Sequence, residues 1–98
     1  MKSYWVYMVL CTDGSYYIGI SNDVERRVGE HNSGLDTHCY TFLRRPVRLV
    51  YAAEFGEAED AIRWEKQIKG WSRKKKRALS EGNWNEIRTL AKRGGKPQ

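Results

Sequence analysis

Nowhere in these 98 residues does an apolar run approach the roughly 18 needed to span a bilayer. No charged, apolar and small-residue leader opens the chain either. A membrane-embedded or exported protein is therefore not expected, and the cytoplasm is the expected compartment. Cysteine is scarce. Cys11 and Cys39 are not a close-spaced pair, so they form no disulfide framework, and adding His31 and His38 makes no zinc signature. Two reduced, partly buried thiols are expected. No internal repeat and no second domain is visible.

What is present is a globular composition. Forty per cent hydrophobic residues, with four Trp and six Tyr, argue for a packed core over disorder. Charge is uneven. From Ser72 onward, nine basic residues (Arg73, Lys74, Lys75, Lys76, Arg77, Arg88, Lys92, Arg93 and Lys96) face only Glu81 and Glu86, so this third carries the net positive charge. A basic end on a near-neutral body suits a polyanion, nucleic acid first, although a solvated helical face explains a charge run equally well.

Tyr4 to Leu10 is apolar and aromatic throughout and predicts a strand; Thr12-Asp13-Gly14 is a turn, and Ser15 to Ile20 is the return strand. On that return, Ser15, Tyr17, Gly19 and Ser21 share one face, small and polar apart from the ring, which reads as the floor of a site. Asn22 or Asp23 caps a first helix that stops at Asn32-Ser33-Gly34. At about 100° per residue, Val24, Val28 and His31 fall in one arc, with Arg27 roughly 40° beyond His31 and Arg26 opposite. Residues 33–46 lack a period and read as a long loop ending in Leu43-Arg44-Arg45-Pro46. A third strand covers Val47 to Glu54.

A second helix runs from about Glu57 to Lys69, with Ala58, Ala61, Ile62, Trp64 and Ile68 on its apolar arc. Glu65 stands near the middle of that arc, where a carboxylate is costly unless paired, protonated or metal-bound. Its bland reading is an ion pair with an inward Arg. Ser72 caps a basic helix over Arg73 to Leu79. Asn83 or Asn85 opens a last one carrying Trp84, Ile87 and Leu90, with Trp84 and Trp71 read as core aromatics. The expected fold is α+β: a small three-stranded antiparallel sheet flanked by helices, in the order β-β-α-β-α-α with an extra C-terminal helix. One domain is expected over 1–93 and a disordered tail over 94–98.

Tyr7 closing an aromatic strand segment, an intact Tyr17-Ile18-Gly19, Arg27 with His31 on the next helix and a lone inward Glu65 together resemble the GIY-YIG nuclease superfamily. The small stand-alone bacterial members are the nearest likeness, from about Tyr4 to Leu79. Trp5-Val6-Tyr7 departs from the family's Gly-Ile-Tyr but keeps the tyrosine. The resemblance implies a metal-dependent endonuclease hydrolysing DNA phosphodiester bonds, in DNA repair or processing, with one divalent cation, Mg²⁺ or Mn²⁺. It implies Tyr7 as general base or water-orienting group, Tyr17 lining the same pocket, Arg27 on the scissile phosphate, His31 at the nucleophile side and Glu65 holding the metal. Arg44, Arg45 and the run Arg73, Lys74, Lys75, Lys76 and Arg77 are the candidate nucleic-acid contacts. So short a chain leaves little room for target recognition, which points to a partner protein or recruitment. Two other readings fit: a nucleic-acid-binding module with weak or no catalysis, and an interaction domain for an acidic protein.

The chemistry suits these residue types. A lone carboxylate can hold Mg²⁺, which keeps several waters, and a guanidinium fork matches phosphate. Cations such as Arg27 and His31 would favour ionised tyrosine. The pocket also makes a demand on the turn. A two-residue loop would put Tyr7 and Tyr17 on opposite faces, so a three-residue loop is required, with Gly14 at positive φ and Tyr7 opposite Gly19.

Overall fold

The hairpin turn decides which side chains share a face of the sheet. Cys11 N–H donates to Ser15 O at 2.8 Å and Gly14 N–H returns to Cys11 O at 3.0 Å, enclosing Thr12, Asp13 and Gly14 as a three-residue loop. Gly14 has φ +84°, a conformation that strains any residue bearing a Cβ. Asp13 Oδ1 braces the turn by accepting from the Ser15 amide at 3.0 Å and its hydroxyl at 2.6 Å. The odd loop pairs Tyr7 with Gly19 and Val9 with Tyr17, between β1 (Tyr4–Leu10) and β2 (Tyr16–Ser21).

The chain, a computed structural model, is described over residues 2–94. The tail expected over 94–98 lies outside them from residue 95 onward. After the hairpin come α1 (Val24–Ser33), a 3-10 turn (Phe42–Arg44), β3 (Arg48–Phe55), α2 (Ala58–Lys69), α3 (Arg73–Ser80) and α4 (Trp84–Gly94). β3 pairs antiparallel with the other edge of β1, giving the sheet order β2-β1-β3, with a register shift between Met8 and Val9. This is the expected α+β architecture.

Side-chain alternation along β1 separates two cores. Val6 and Met8, with Ile18, pack against Ala61, Ile68, Ala78, Leu79 and Ile87 of α2, α3 and α4. Tyr7, Val9 and Cys11 point the other way, toward Val47, Tyr17 and the α1 residues Val24 and Val28. Asp23 caps α1 by accepting the Arg26 amide at 3.1 Å. At its other end, Asn32 grips the Val47 backbone twice, donating to Val47 O at 3.0 Å and accepting from Val47 N–H at 2.6 Å. The loop between them is thereby tied at both ends.

The apolar arc expected on α2 is wider than the strip a narrow sheet can cover. Ala61 and Ile68 are buried, but Ile62 is 44 % exposed. Trp64 is half-buried, with its indole N–H donating to Tyr51 OH at 3.0 Å, and Trp71 packs edge-on against it. Trp84 is not a core residue. It stands at the first position of α4, 46 % exposed, and Ile87 one turn later enters the core instead.

The close approach at Gly19 gives a test of the register. A Cβ there would sit 2.6 Å from the Tyr7 hydroxyl and 2.8 Å from its Cζ, and Tyr7 is buried and cannot step aside. Gly19→Ala should lower the urea-unfolding free energy by about 1–3 kcal/mol. An unchanged unfolding midpoint would show that the Tyr7 ring has room to move.

Candidate active site

β1, β2, α1 and the following loop each deliver one polar or aromatic group to the same point. The Tyr7 hydroxyl and His31 Nε2 are 2.8 Å apart, and His31 Nδ1 lies 2.8 Å from Thr41 Oγ1. His31 and Thr41 are the buried polar residues of the protein's described part. The Tyr17 ring meets His31 edge-on at 5.2 Å and stands 6.4 Å from Tyr7. It also stacks on Tyr40 at 6.1 Å, and the Arg44 guanidinium lies over the Tyr40 ring at 3.8 Å. Arg27 is half-buried, held at one side by Glu30 at 3.1 Å, with its charge facing both phenols.

Burial dominates the electrostatics of this cluster. It pushes the Tyr7 phenol up to about 12, helped by Tyr17 and opposed by the nearby Arg27 charge. Arg27 therefore does not make an ionised tyrosine in the free chain, contrary to the sequence expectation. His31 is lowered, by burial first and then by Arg27, so the imidazole is neutral near pH 7 and is no second cation. Burial acts to raise the Cys39 thiol, but hydrogen bonds from Thr41 and Tyr17 and the Arg27 charge outweigh it and bring the thiol below its ordinary value.

Glu65 arrives from the opposite face of the sheet. Its side chain is 12 % exposed and bound at 2.5 Å to Lys69, one helical turn on, rather than to an inward Arg. Lys69 also lines a cavity of about 180 Å³ at the β2 edge, together with Tyr16, Tyr17, Ile18, Tyr40 and Lys76. Among the described residues no three His, Cys, Asp or Glu side chains gather as a ligand cage. The donor chemistry still fits a hydrated hard dication: one oxygen ligand, almost covered, already neutralised by a cation that a divalent ion can replace.

The basic residues divide by use. Arg44 Nε donates to Asp13 Oδ2 at 2.9 Å and its Nη1 to Tyr40 O at 2.7 Å, clamping the loop to the hairpin turn. Arg45 lies over Phe42 and donates to its carbonyl at 2.7 Å. On α3, capped by Ser72, Arg73 reaches the turn at Gly14 and Lys76 the Tyr17 cavity. Lys75 covers Trp71, Arg77 pairs with Glu81 at 3.2 Å, and Lys74 is exposed. Both cysteines are free thiols, Cys11 buried and Cys39 partly so. Sequence reasoning passed over Thr41, Tyr40 and Lys69, and weighed Cys39 only as a thiol and as a zinc ligand. Lys69 was readable as the i+4 partner of Glu65; the other three sit in a stretch without periodicity.

The lowered His31 has a consequence for stability. The unfolded chain takes up this proton near its ordinary pKa of about 6.5, and the folded chain resists it. His31 therefore contributes its full stabilisation above that pH, and the contribution is lost as pH falls through the folded value. In urea titrations between about pH 7.5 and 5.5, the wild-type midpoint should drop and His31→Gln, though less stable overall, should show a flatter dependence. Parallel slopes would mean that His31 is not held neutral.

Comparison with known proteins agrees with this geometry. The family described as the GIY-YIG catalytic domain matches residues 3–78. A UPF0213 protein of Staphylococcus saprophyticus is 43 % identical over 83 residues, 84 % of this chain and the whole of that one. One of Staphylococcus aureus is 44 % identical over 79 residues, 81 % of this chain and 95 % of its own. The solution NMR structure of a UPF0213 protein from Bacillus halodurans superposes with a TM-score of 0.52 at 39 % identity, covering 91 % of this chain and 95 % of that one. That of protein EF2693 from E. faecalis gives 0.57 at 32 % identity, covering 100 % and 97 %. With its two tyrosines, arginine and histidine gathered on one face of the sheet, the chain belongs to the GIY-YIG family, among its small UPF0213 members.

Proposed function

We propose that this protein is an endonuclease that hydrolyses phosphodiester bonds in DNA, with one divalent cation, Mg²⁺ or Mn²⁺, held by Glu65. The observation that carries the reading is the buried 2.8 Å contact between Tyr7 and His31, made beside Arg27 and Tyr17. When bound, the cation would stabilise charge on the phosphate and the leaving oxygen.

The chain's own groups supply the rest. With a phenol near 12, free phenolate at pH 7 amounts to only about one molecule in 10⁵. Tyr7 is accordingly a relay. Its oxygen takes a proton from the attacking water while its own proton passes to neutral His31 Nε2. The water oxygen bonds to phosphorus and the bond to the leaving sugar oxygen breaks. Arg27 turns its guanidinium from Glu30 toward the phosphoryl oxygens, where a fork of N–H donors matches the developing charge. Gly19 keeps the space over the phenol free of a side chain. Because Tyr7 is buried in the free chain, side chains over its hydroxyl have to move to admit the water. Lys69, Lys76 and Arg73 along the β2 edge and hairpin turn provide a basic track for the strand.

The second reading, a nucleic-acid-binding module without catalysis, is favoured by the Glu65–Lys69 pair, which occupies the metal-binding carboxylate. One experiment separates the two. Labelled DNA substrates of several structures are incubated with Mg²⁺ or Mn²⁺ beside Arg27→Ala and Glu65→Gln. The endonuclease reading expects cleavage that falls roughly 10²-fold or more in each variant, with an acid limb as His31 protonates. Salt-dependent binding with no wild-type cleavage would establish the binding module, and cleavage that survives both substitutions would place the chemistry elsewhere.

A further inference from the structure

A neutral imidazole carries its proton on one nitrogen only, and the groups around it decide which. At His31 those groups leave a single consistent arrangement. The Tyr7 hydroxyl is buried and its one hydrogen-bond partner among the described residues is His31 Nε2 at 2.8 Å, so the phenol O–H is the donor to that nitrogen. Nε2 is then the bare nitrogen and Nδ1 carries the hydrogen. Nδ1 points at Thr41 Oγ1, 2.8 Å away, with Cys39 Sγ a longer second partner at 3.7 Å, and the Thr41 hydroxyl in turn donates to Cys39 Sγ at 3.4 Å. In the reverse arrangement, with the hydrogen on Nε2, the buried Tyr7 O–H would lose its acceptor.

Thr41 is placed for this task at some cost to its local role. It occupies the N-cap of the 3-10 turn Phe42–Arg44, where a threonine hydroxyl commonly caps the backbone, yet its side chain makes no capping bond. The hydroxyl turns inward instead, in a residue only 1 % exposed. Among the described residues no buried side-chain nitrogen or oxygen lacks a partner, the polar atoms of Tyr7, His31 and Thr41 included.

We propose that Thr41 is a positioning residue: by accepting Nδ1–H and directing its own hydroxyl to Cys39, it holds His31 in the Nδ1–H tautomer with Nε2 open to the Tyr7 proton. The role rests on reading Tyr7 and His31 as the proton-removing pair of a hydrolase. When the Tyr7 proton arrives at Nε2, the resulting imidazolium keeps its Nδ1–H on Thr41, so one proton moves and nothing is oxidised or reduced. Loss of the hydroxyl frees the ring to adopt the other tautomer, which offers Tyr7 a donor where an acceptor is needed.

The test reads the tautomer directly. Histidine-labelled wild type, Thr41→Val and Thr41→Ser are compared by long-range ¹H–¹⁵N NMR above the His31 pKa, with backbone spectra as the fold control. Wild type and Thr41→Ser should show Nδ1–H, and Thr41→Val the Nε2–H form or a mixture. DNA cleavage by Thr41→Val should fall roughly 10- to 100-fold, part of the about 10²–10⁴-fold that a positioned acid–base group supplies, and Thr41→Ser should recover most of it. An Nε2–H signal in wild type, or unchanged Nδ1–H in a folded Thr41→Val, overturns the assignment. Should Thr41→Val fail to fold, Thr41→Ala, which also lacks the hydroxyl, is read in the same spectra and decides it. Nδ1–H in wild type that is lost in Thr41→Val, in a protein that cuts no DNA, supports the positioning by Thr41 and removes the hydrolase reading instead.

Discussion

The contact between the Tyr7 phenol and His31 Nε2 joins two parts of the chain that sequence separates, and the surrounding structure is arranged to hold it. It requires Tyr7 to point toward α1 rather than toward α2, which depends on the three-residue turn and on Gly14 adopting a positive φ. It requires open space across the strand pair, which Gly19 supplies. It also requires α1 to stand at one rotation about its axis, which the Asp23 cap and the two bonds from Asn32 to Val47 maintain. A change of one residue in the turn would carry Tyr7 to the other core and dissolve the site while leaving a plausible sheet.

Burial then sets the chemistry. In a wet cleft, Arg27 would lower the phenol and the imidazole would titrate near its ordinary value. Here desolvation is the largest influence on both, so the phenol stays protonated and the imidazole stays neutral. A donor facing an acceptor across a short contact is what a proton relay needs, and it is also a stable hydrogen bond for the resting fold. The same two side chains thus serve core and candidate site, which is why no boundary separates the second core from that cluster.

The positive charge has two separate duties. Arg44 joins the loop, Tyr40 and the hairpin turn through a stack, a salt bridge and a carbonyl contact. Arg45 and Lys75 lie over Phe42 and Trp71. Lys69, Lys76 and Arg73, by contrast, converge on the β2 edge, where Tyr17 forms the wall. A count of basic residues cannot distinguish these uses, because a guanidinium over a ring and one facing solvent look alike in a sequence.

The sequence by itself determined the order of elements, the turn length and the register. Alternation along a strand is a local constraint, and once the family resemblance places both phenols in one pocket it leaves only an odd loop. It also picked out Arg27 and His31 through helical spacing, and Glu65 as a carboxylate on an apolar arc. Tertiary structure alone decided what each of these groups touches. Thr41, Cys39 and Tyr40 lie in a loop without period, and their positions follow from where Asn32 anchors α1 to the start of β3. The partner of Glu65, the exposure of Ile62 and Trp84, and the neutral state of His31 depend on how much surface a narrow sheet can cover and how much water it excludes. Those quantities belong to the packed molecule, because desolvation is a sum over neighbours from every element and no local pattern encodes that sum.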